Sequence, residues 1–266
     1  MLEILLICLI FGCFSGVLAG LFGLGGGVVL VPFFLFLFES HGIANDLLML
    51  MAVATSLATI IITSIAACIA HHRLSAVIWS YVFGLSYGIV IGVMIGAWVA
   101  DAIATENLRF IFALYLLFVA VQMAMQSKLK VNFKPLTPLT LKISGIVIGF
   151  VSSVLGIGGG TLTVPLLAKH QMPMRNAVAI SSACGLPIAV FGTITYAFLG
   201  WQKAGLPEGS VGYVYLPAFI GIVTTSMLTA PLGAKLANKL PTKRLKRYFS
   251  LLLFVVAGKL LWAIFV

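Results

Sequence analysis

Apolar residues run along the chain in long blocks separated by short polar breaks. Reading between the breaks gives ten apolar segments, at 3–22, 27–38, 47–70, 75–100, 107–126, 139–156, 160–168, 175–199, 211–234 and 246–265. A helix that crosses a bilayer needs about 20 apolar residues, so most of these segments are predicted to be transmembrane helices. Segments 27–38 and 160–168 are too short to cross comfortably, and each follows a run of glycines. They read as halves of hairpins that turn back inside the membrane.

The pattern also repeats. Gly-Leu-Gly-Gly-Gly at 23–27 returns as Gly-Ile-Gly-Gly-Gly at 156–160, an offset of 133 that also pairs Gly12 with Gly145, Gly16 with Gly149 and Pro32 with Pro165. Ala52-Val53-Ala54 returns as Ala177-Val178-Ala179, followed by Thr55 and Ser56 in one case and by Ser181 and Ser182 in the other. The expected architecture is an all-α polytopic membrane protein built from two repeats, 1–133 and 134–266, within one membrane domain. Five apolar segments per repeat is an odd number, so the repeats are expected to run in opposite directions through the bilayer.

Composition agrees with this reading. Of the 266 residues, 62% are hydrophobic and 8% are charged, against about 45–50% and about 25% in soluble domains. A soluble enzyme, a nucleic-acid binder and a disordered chain are excluded. The net charge of +10 reflects basic clusters between apolar runs rather than a nucleic-acid partner. With the N-terminus outside, Arg73, Lys128, Lys130, Lys134, Lys142, Lys169, Arg175, Lys235, Lys239, Lys243, Arg244, Lys246 and Arg247 fall inside. Arg109, Lys203, Lys259 and all six acids fall outside, so the positive-inside rule predicts N-out, C-out. Met1–Gly20 lacks the positive n-region of a signal peptide and reads as a retained helix. Cys8, Cys13, Cys68 and Cys184 show no metal-ligand or disulfide spacing, and no cofactor or metal is expected.

Inverted repeats with interrupted helices point to a secondary transporter with its substrate near the midplane. Consecutive glycines let the chain turn without Cβ clashes and leave N–H groups at the positive start of the next helix. In hydrocarbon such a turn persists only where protein or an aqueous cavity satisfies it. Gly25, Gly26 and Gly27 reaching from one side, and Gly158, Gly159 and Gly160 from the other, are therefore favoured as two cradles for one small anion over mere packing devices. Thr161 and Thr163 can add donors, whereas their counterparts Val28 and Leu30 cannot, so binding is expected to be asymmetric. Thr55, Ser56, Ser181 and Ser182 are further candidates, although membrane hydroxyls most often bond their own helix. Pro32 and Pro165 either fix the hairpins' shape or are tolerated kinks. Stripes such as Gly84, Gly88, Gly92 and Gly96 serve close helix packing; a homodimer stays open. His71, His72 and Arg73 read as interfacial anchors, as does Lys259 by snorkelling. With no carboxylate deep in any span, a proton relay is not expected.

The paired Gly-x-Gly-Gly-Gly…Val-Pro runs resemble the TauE/SafE sulfite exporter family. So do Ala-Val-Ala-Thr-Ser-Leu at 52–57, Gly-Tyr-Val-Tyr-Leu-Pro-Ala at 212–218 and the basic run before the last helix. The resemblance covers essentially the whole chain. It implies a multi-pass permease of a bacterial or archaeal inner membrane for sulfite, sulfonates or related sulfur anions, not an enzyme. One departure is Ile180, where the first half has Thr55. The expected function is transport of a small sulfur-containing anion such as sulfite, thiosulfate or a sulfonate, with export favoured because an anion leaves a negative-inside cell downhill. A channel-like conduit for an anion or small metabolite is the alternative.

Overall fold

The computed structural model describes residues 2–22, 26–124, 136–237 and 242–265. Among them lie ten helices, matching the ten apolar segments: α1 (Leu2–Phe22), α2 (Gly27–Ser40), α3 (Asn45–Arg73), α4 (Trp79–Ala102), α5 (Thr105–Ala124), α6 (Pro138–Leu155), α7 (Gly160–Lys169), α8 (Met174–Leu199), α9 (Leu216–Ala237) and α10 (Thr242–Phe265). Five of them, α3, α4, α5, α6 and α8, are long and apolar enough to cross a membrane. At 1.5 Å per residue, α2 is about 21 Å long and α7 about 15 Å, each short of a hydrocarbon core of about 30 Å.

One expectation fails locally. Residues 211–215 do not begin a helix but belong to a small antiparallel hairpin of β1 (Ser210–Val211) and β2 (Val214–Tyr215), with Ser210 opposite Tyr215 and Val211 opposite Val214. The cause is Gly212, whose φ is +56° and whose missing Cβ leaves room for the carbonyl of Ala197. Valine and tyrosine favour the pleated conformation, and Pro217 is tolerated where α9 starts.

Burial grades the helices. Leu47 to Ile60 of α3 are buried without interruption, as expected of a helix apolar on all faces. α3 lies against α8 at the centre, with Gly192 facing Leu57 and Gly185 facing Ser64, so the two run antiparallel. On either side sit the close-packed pairs α1–α9 and α4–α6, with α5 against α10, α2 against α3 and α7 against α8. Glycine stripes make the close pairs. A Cβ at Gly12 or Gly16 would overlap Thr225 or Thr229 of α9, and one at Gly88 or Gly92 would overlap the carbonyls of Lys142 or Ile146 of α6. Large apolar side chains such as Ile10, Phe83, Ile91, Phe118 and Phe198 remain exposed on the outside.

Candidate functional site

The described end of the first glycine run forms one tip, where Gly26 lies beside Ser15 and Ala19 of α1 and the Phe33 ring of α2 stacks on Phe11 at 3.6 Å. The second run forms the other, turning the chain from α6 into α7. Gly156 caps α6 with φ +67°, and Gly159 lies beside Ile148. Each short helix begins on a left-handed glycine, Gly26 at φ +79° for α2 and Gly159 at φ +47° for α7. Gly25 lies outside the described residues.

The two tips meet. A Cβ on Gly27 would come within 2.7 Å of the Gly156 oxygen and 2.9 Å of the Ile157 Cα, and one on Gly156 within 2.9 Å of a Val31 methyl. Glycine is required at this contact because backbone touches backbone. At the helix starts, Gly26 O accepts from Val29 and Leu30, Gly159 O accepts from Leu162 and Thr163, and Gly160 N–H bonds Gly158 O. Among the described residues no acceptor reaches the N–H groups of Gly27, Val28 or Thr161. Both helix starts thus present donors without an acceptor among the described residues, in the buried interior.

The predicted hydroxyls divide by what they bond. Ser56 donates to Gly156 O at 2.8 Å, tying α3 to the second tip. Thr55 accepts from the Tyr215 N–H at 3.1 Å, holding the β-hairpin in place. Ser182 donates to Val178 O of its own helix, and Thr161 pairs with the Tyr115 hydroxyl of α5. Ser181 is buried and has no partner among the described residues. Pro32 is buried within α2, and Pro165 half-buried within α7.

Several contacts were not anticipated. Tyr115 could have been noticed as a phenol midway along an apolar span. Asn176 donates to Ala76 O at 2.9 Å and Arg175 to Leu74 O, holding the turn between α3 and α4. Lys259 places its ammonium 4.1 Å above the Phe36 ring. Tyr213 donates to Asp101 at 2.6 Å; burial first, and then that carboxylate, hold its phenol above the usual range.

Charge separates the two ends of the fold. Thr105 donates to Asp46 O at 2.6 Å, Arg109 pairs with Glu39 at 3.5 Å, and Asp46, Asp101, Thr105 and Lys203 line a cavity of about 350 Å³. Arg73, Lys169 and Arg175 close helices or start them at the other end, where Arg175 reaches the turn after α3. Among the described residues no cluster of His, Cys, Asp and Glu can hold a metal ion.

Sequence comparison gives the arrangement a family. The profile described as "Sulfite exporter TauE/SafE" matches residues 8–260. A Haemophilus influenzae protein titled "Probable membrane transporter protein" is 40% identical over 258 residues, 97% of this chain and 98% of its own. One of Methanocaldococcus jannaschii with a similar title is 30% identical over 96% of this chain and 94% of its own. Bacillus subtilis YunE, also titled a probable membrane transporter, is 25% identical over 96% and 97%. No solved structure matches the chain significantly. Because the profile runs from within α1 to within α10 and takes in both glycine tips, the chain belongs to the TauE/SafE sulfite exporter family of membrane transporters.

Proposed function

We propose that the protein is a secondary transporter that binds a small sulfur-containing anion between its two glycine tips and exports it across the cytoplasmic membrane. The observation that carries this is the contact of Gly27 with Gly156 and Ile157: the start of α2 touches the turn that leads into α7, so the two glycine turns adjoin in the buried interior. Substrate-binding roles fall to Gly25, Gly26, Gly27, Gly158, Gly159, Gly160 and Thr161, with Ser181 beside them; Thr55 and Ser56 hold the surrounding backbone. The tips are buried, which supports a carrier that must move to admit its substrate over an open conduit.

The inverted repeat is part of the proposal. Exchanging α1–α5 for α6–α10 turns the pair α1–α9 into α6–α4, α2–α3 into α7–α8 and α3–α9 into α8–α4, while α3–α8 and α5–α10 map onto themselves. That exchange supports the repeats 1–133 and 134–266. The acidic end, at Glu39, Asp46, Asp101 and Glu106, is the external one, and the end carrying Arg73, Lys169 and Arg175 the cytoplasmic one. An anion leaving a negative-inside cell gains about 2.3 kcal/mol per charge per 100 mV, so export needs no coupling carboxylate.

The test is flux from proteoliposomes loaded with sulfite, thiosulfate, a sulfonate, sulfate or chloride, with and without an imposed potential. Saturable movement of one sulfur anion, accelerated by a potential negative on the loaded side, is expected. Absence of movement for every anion, from protein that elutes as a folded species, refutes the proposal.

A further inference from the structure

Five hydroxyls whose oxygen is buried lack a hydrogen-bond partner among the described residues, those of Ser152, Thr163, Ser181, Thr193 and Ser210. Thr193 and Ser210 are only half-buried, whereas Ser152 and Thr163 are 0% exposed and Ser181 1%. This is not the habit of the protein. Thr59 bonds Ser56 O, Ser153 bonds Phe150 O, Ser182 bonds Val178 O, Thr195 bonds Phe191 O and Thr224 bonds Ile220 O. A hydroxyl in an apolar helix normally satisfies itself on its own backbone in this way, and a buried one that does not calls for an explanation.

The three deeply buried exceptions lie on the three helices around the second tip. Ser152 lies in the last turn of α6, just before the Gly156 cap. Thr163 lies in the first turn of α7, its Oγ1 3.5 Å from where a Gly159 Cβ would sit, and Ser181 lies in α8, which packs on α7. All three helices border the second tip, where the Thr161 N–H also has no acceptor among the described residues. Among the described residues the first tip offers nothing comparable. At the offset of 133 Ser152 and Thr163 become Ala19 and Leu30, and in the Ala52–Ala177 match Ser181 becomes Ser56, whose hydroxyl is committed to Gly156 O.

We propose that Ser152, Thr163 and Ser181 form a one-sided recognition site, donating to the oxygen atoms of the transported anion at the second tip while the first tip supplies an apolar wall. This rests on the transporter reading above. Donors spread over three helices suit an anion that carries several oxygens, since each oxygen accepts one of them; a halide offers a single atom. The site therefore selects oxyanions over halides. Being neutral, its hydroxyls recognise shape and acceptor position without a counter-charge.

The experiment compares wild type with Ser152→Ala, Thr163→Val, Ser181→Ala and Thr163→Ser, using sulfite and chloride as probes. It reads the KM for sulfite flux in proteoliposomes and, separately, sulfite binding to detergent-purified protein by calorimetry. Loss of one hydrogen bond to a charged ligand is expected to raise KM and the dissociation constant Kd about tenfold for Thr163→Val and for Ser181→Ala, with discrimination against chloride reduced. Thr163→Ser keeps the hydroxyl and stays within about threefold of wild type. If Thr163→Val does not fold, Ser181→Ala and Ser152→Ala decide. Saturable sulfite flux with unchanged KM and selectivity in every folded variant that lacks a hydroxyl overturns the one-sided site but leaves the transporter reading standing. Wild-type protein that neither binds nor moves sulfite overturns both.

Discussion

The two glycine hairpins have the same backbone and different chemistry. Both tips start a short helix on a left-handed glycine, both helices contain a proline one turn or so in, and both lie against a long central helix. Yet the first helix opens Gly-Val-Val-Leu-Val-Pro and the second Gly-Thr-Leu-Thr-Val-Pro. Where the second has Thr161 and Thr163, the first has Val28 and Leu30, each 1% exposed. Around the second tip stand Tyr115, Ser152 and Ser181; around the first, Phe11, Ala19 and Phe33. In the proposed repeat the fold supplies two turning points, and the different side chains assign the proposed polar work to one of them. A symmetric frame suits alternation between two outward states; an asymmetric lining suits a substrate whose charged oxygens need donors on only one side.

The severest way to break the comparison is at the contact both tips share. Gly27→Val places a branched side chain against the Gly156 carbonyl and Ile157 Cα. Flux is expected to fall by more than about a hundredfold, because about 1–3 kcal/mol of overpacking acts on the element that must move as well as on the fold. Wild-type sulfite flux in Gly27→Val would show that tip contact is incidental. Gly26→Ala is gentler, since the nearest side-chain atom would be 3.5 Å away. Only the left-handed φ of +79° opposes it, costing about 1–2 kcal/mol, and chemical denaturation should show that loss.

The second prediction trades the chemistry of the tips. Leu30→Thr gives the first hairpin the hydroxyl that Thr163 gives the second, at a buried position of the apolar core that also holds Val28, Val31 and Phe34. Removing buried apolar volume and adding an unpaired hydroxyl is expected to lower stability by about 2–4 kcal/mol, with no gain in sulfite affinity. An improved KM would show that the apolar wall is not needed. Tyr115→Phe works on the other tip by freeing Thr161. The expected change is about 1 kcal/mol in stability, together with a shift in KM, because Thr161 O–H and N–H adjoin the proposed site.

Much of this was legible beforehand, and the parts that were not have a common cause. Ten apolar blocks set ten helices because length and hydropathy are local properties. The stripes at Gly12 and Gly16 and at Gly88 and Gly92 were legible as packing faces because spacing by four puts residues on one face of a helix. The 133-residue offset marked both tips, although Gly25 of the first lies outside the described residues. Partner choice was not legible. Thr55 serves Tyr215 and Ser56 serves Gly156, contacts 160 and 100 residues apart. No periodicity in Ala-Val-Ala-Thr-Ser says which hydroxyl is committed and which is left over. The β-hairpin at 210–215 was missed because Val-Tyr-Leu is as apolar as a helix start, and the deciding feature, Ala197 against Gly212, is tertiary.

The mildest predicted change sharpens the comparison most economically, since it concerns neighbouring serines. Ser181 and Ser182 sit side by side in α8, 1% and 5% exposed. Ser182 bonds Val178 O at 2.9 Å, whereas Ser181 has no partner among the described residues. Deleting the Ser182 hydroxyl removes a donor whose acceptor keeps its helical backbone bond, so Ser182→Ala should change stability by no more than about 0.5 kcal/mol and leave the sulfite KM within about twofold. Composition, depth and helix are matched between the two positions; only hydrogen-bond commitment differs. A large rise in KM for Ser181→Ala beside none for Ser182→Ala ties recognition to the uncommitted hydroxyl. Equal effects from both would mean that α8 contributes through packing, and that the polar character of the second tip resides in α6 and α7 alone.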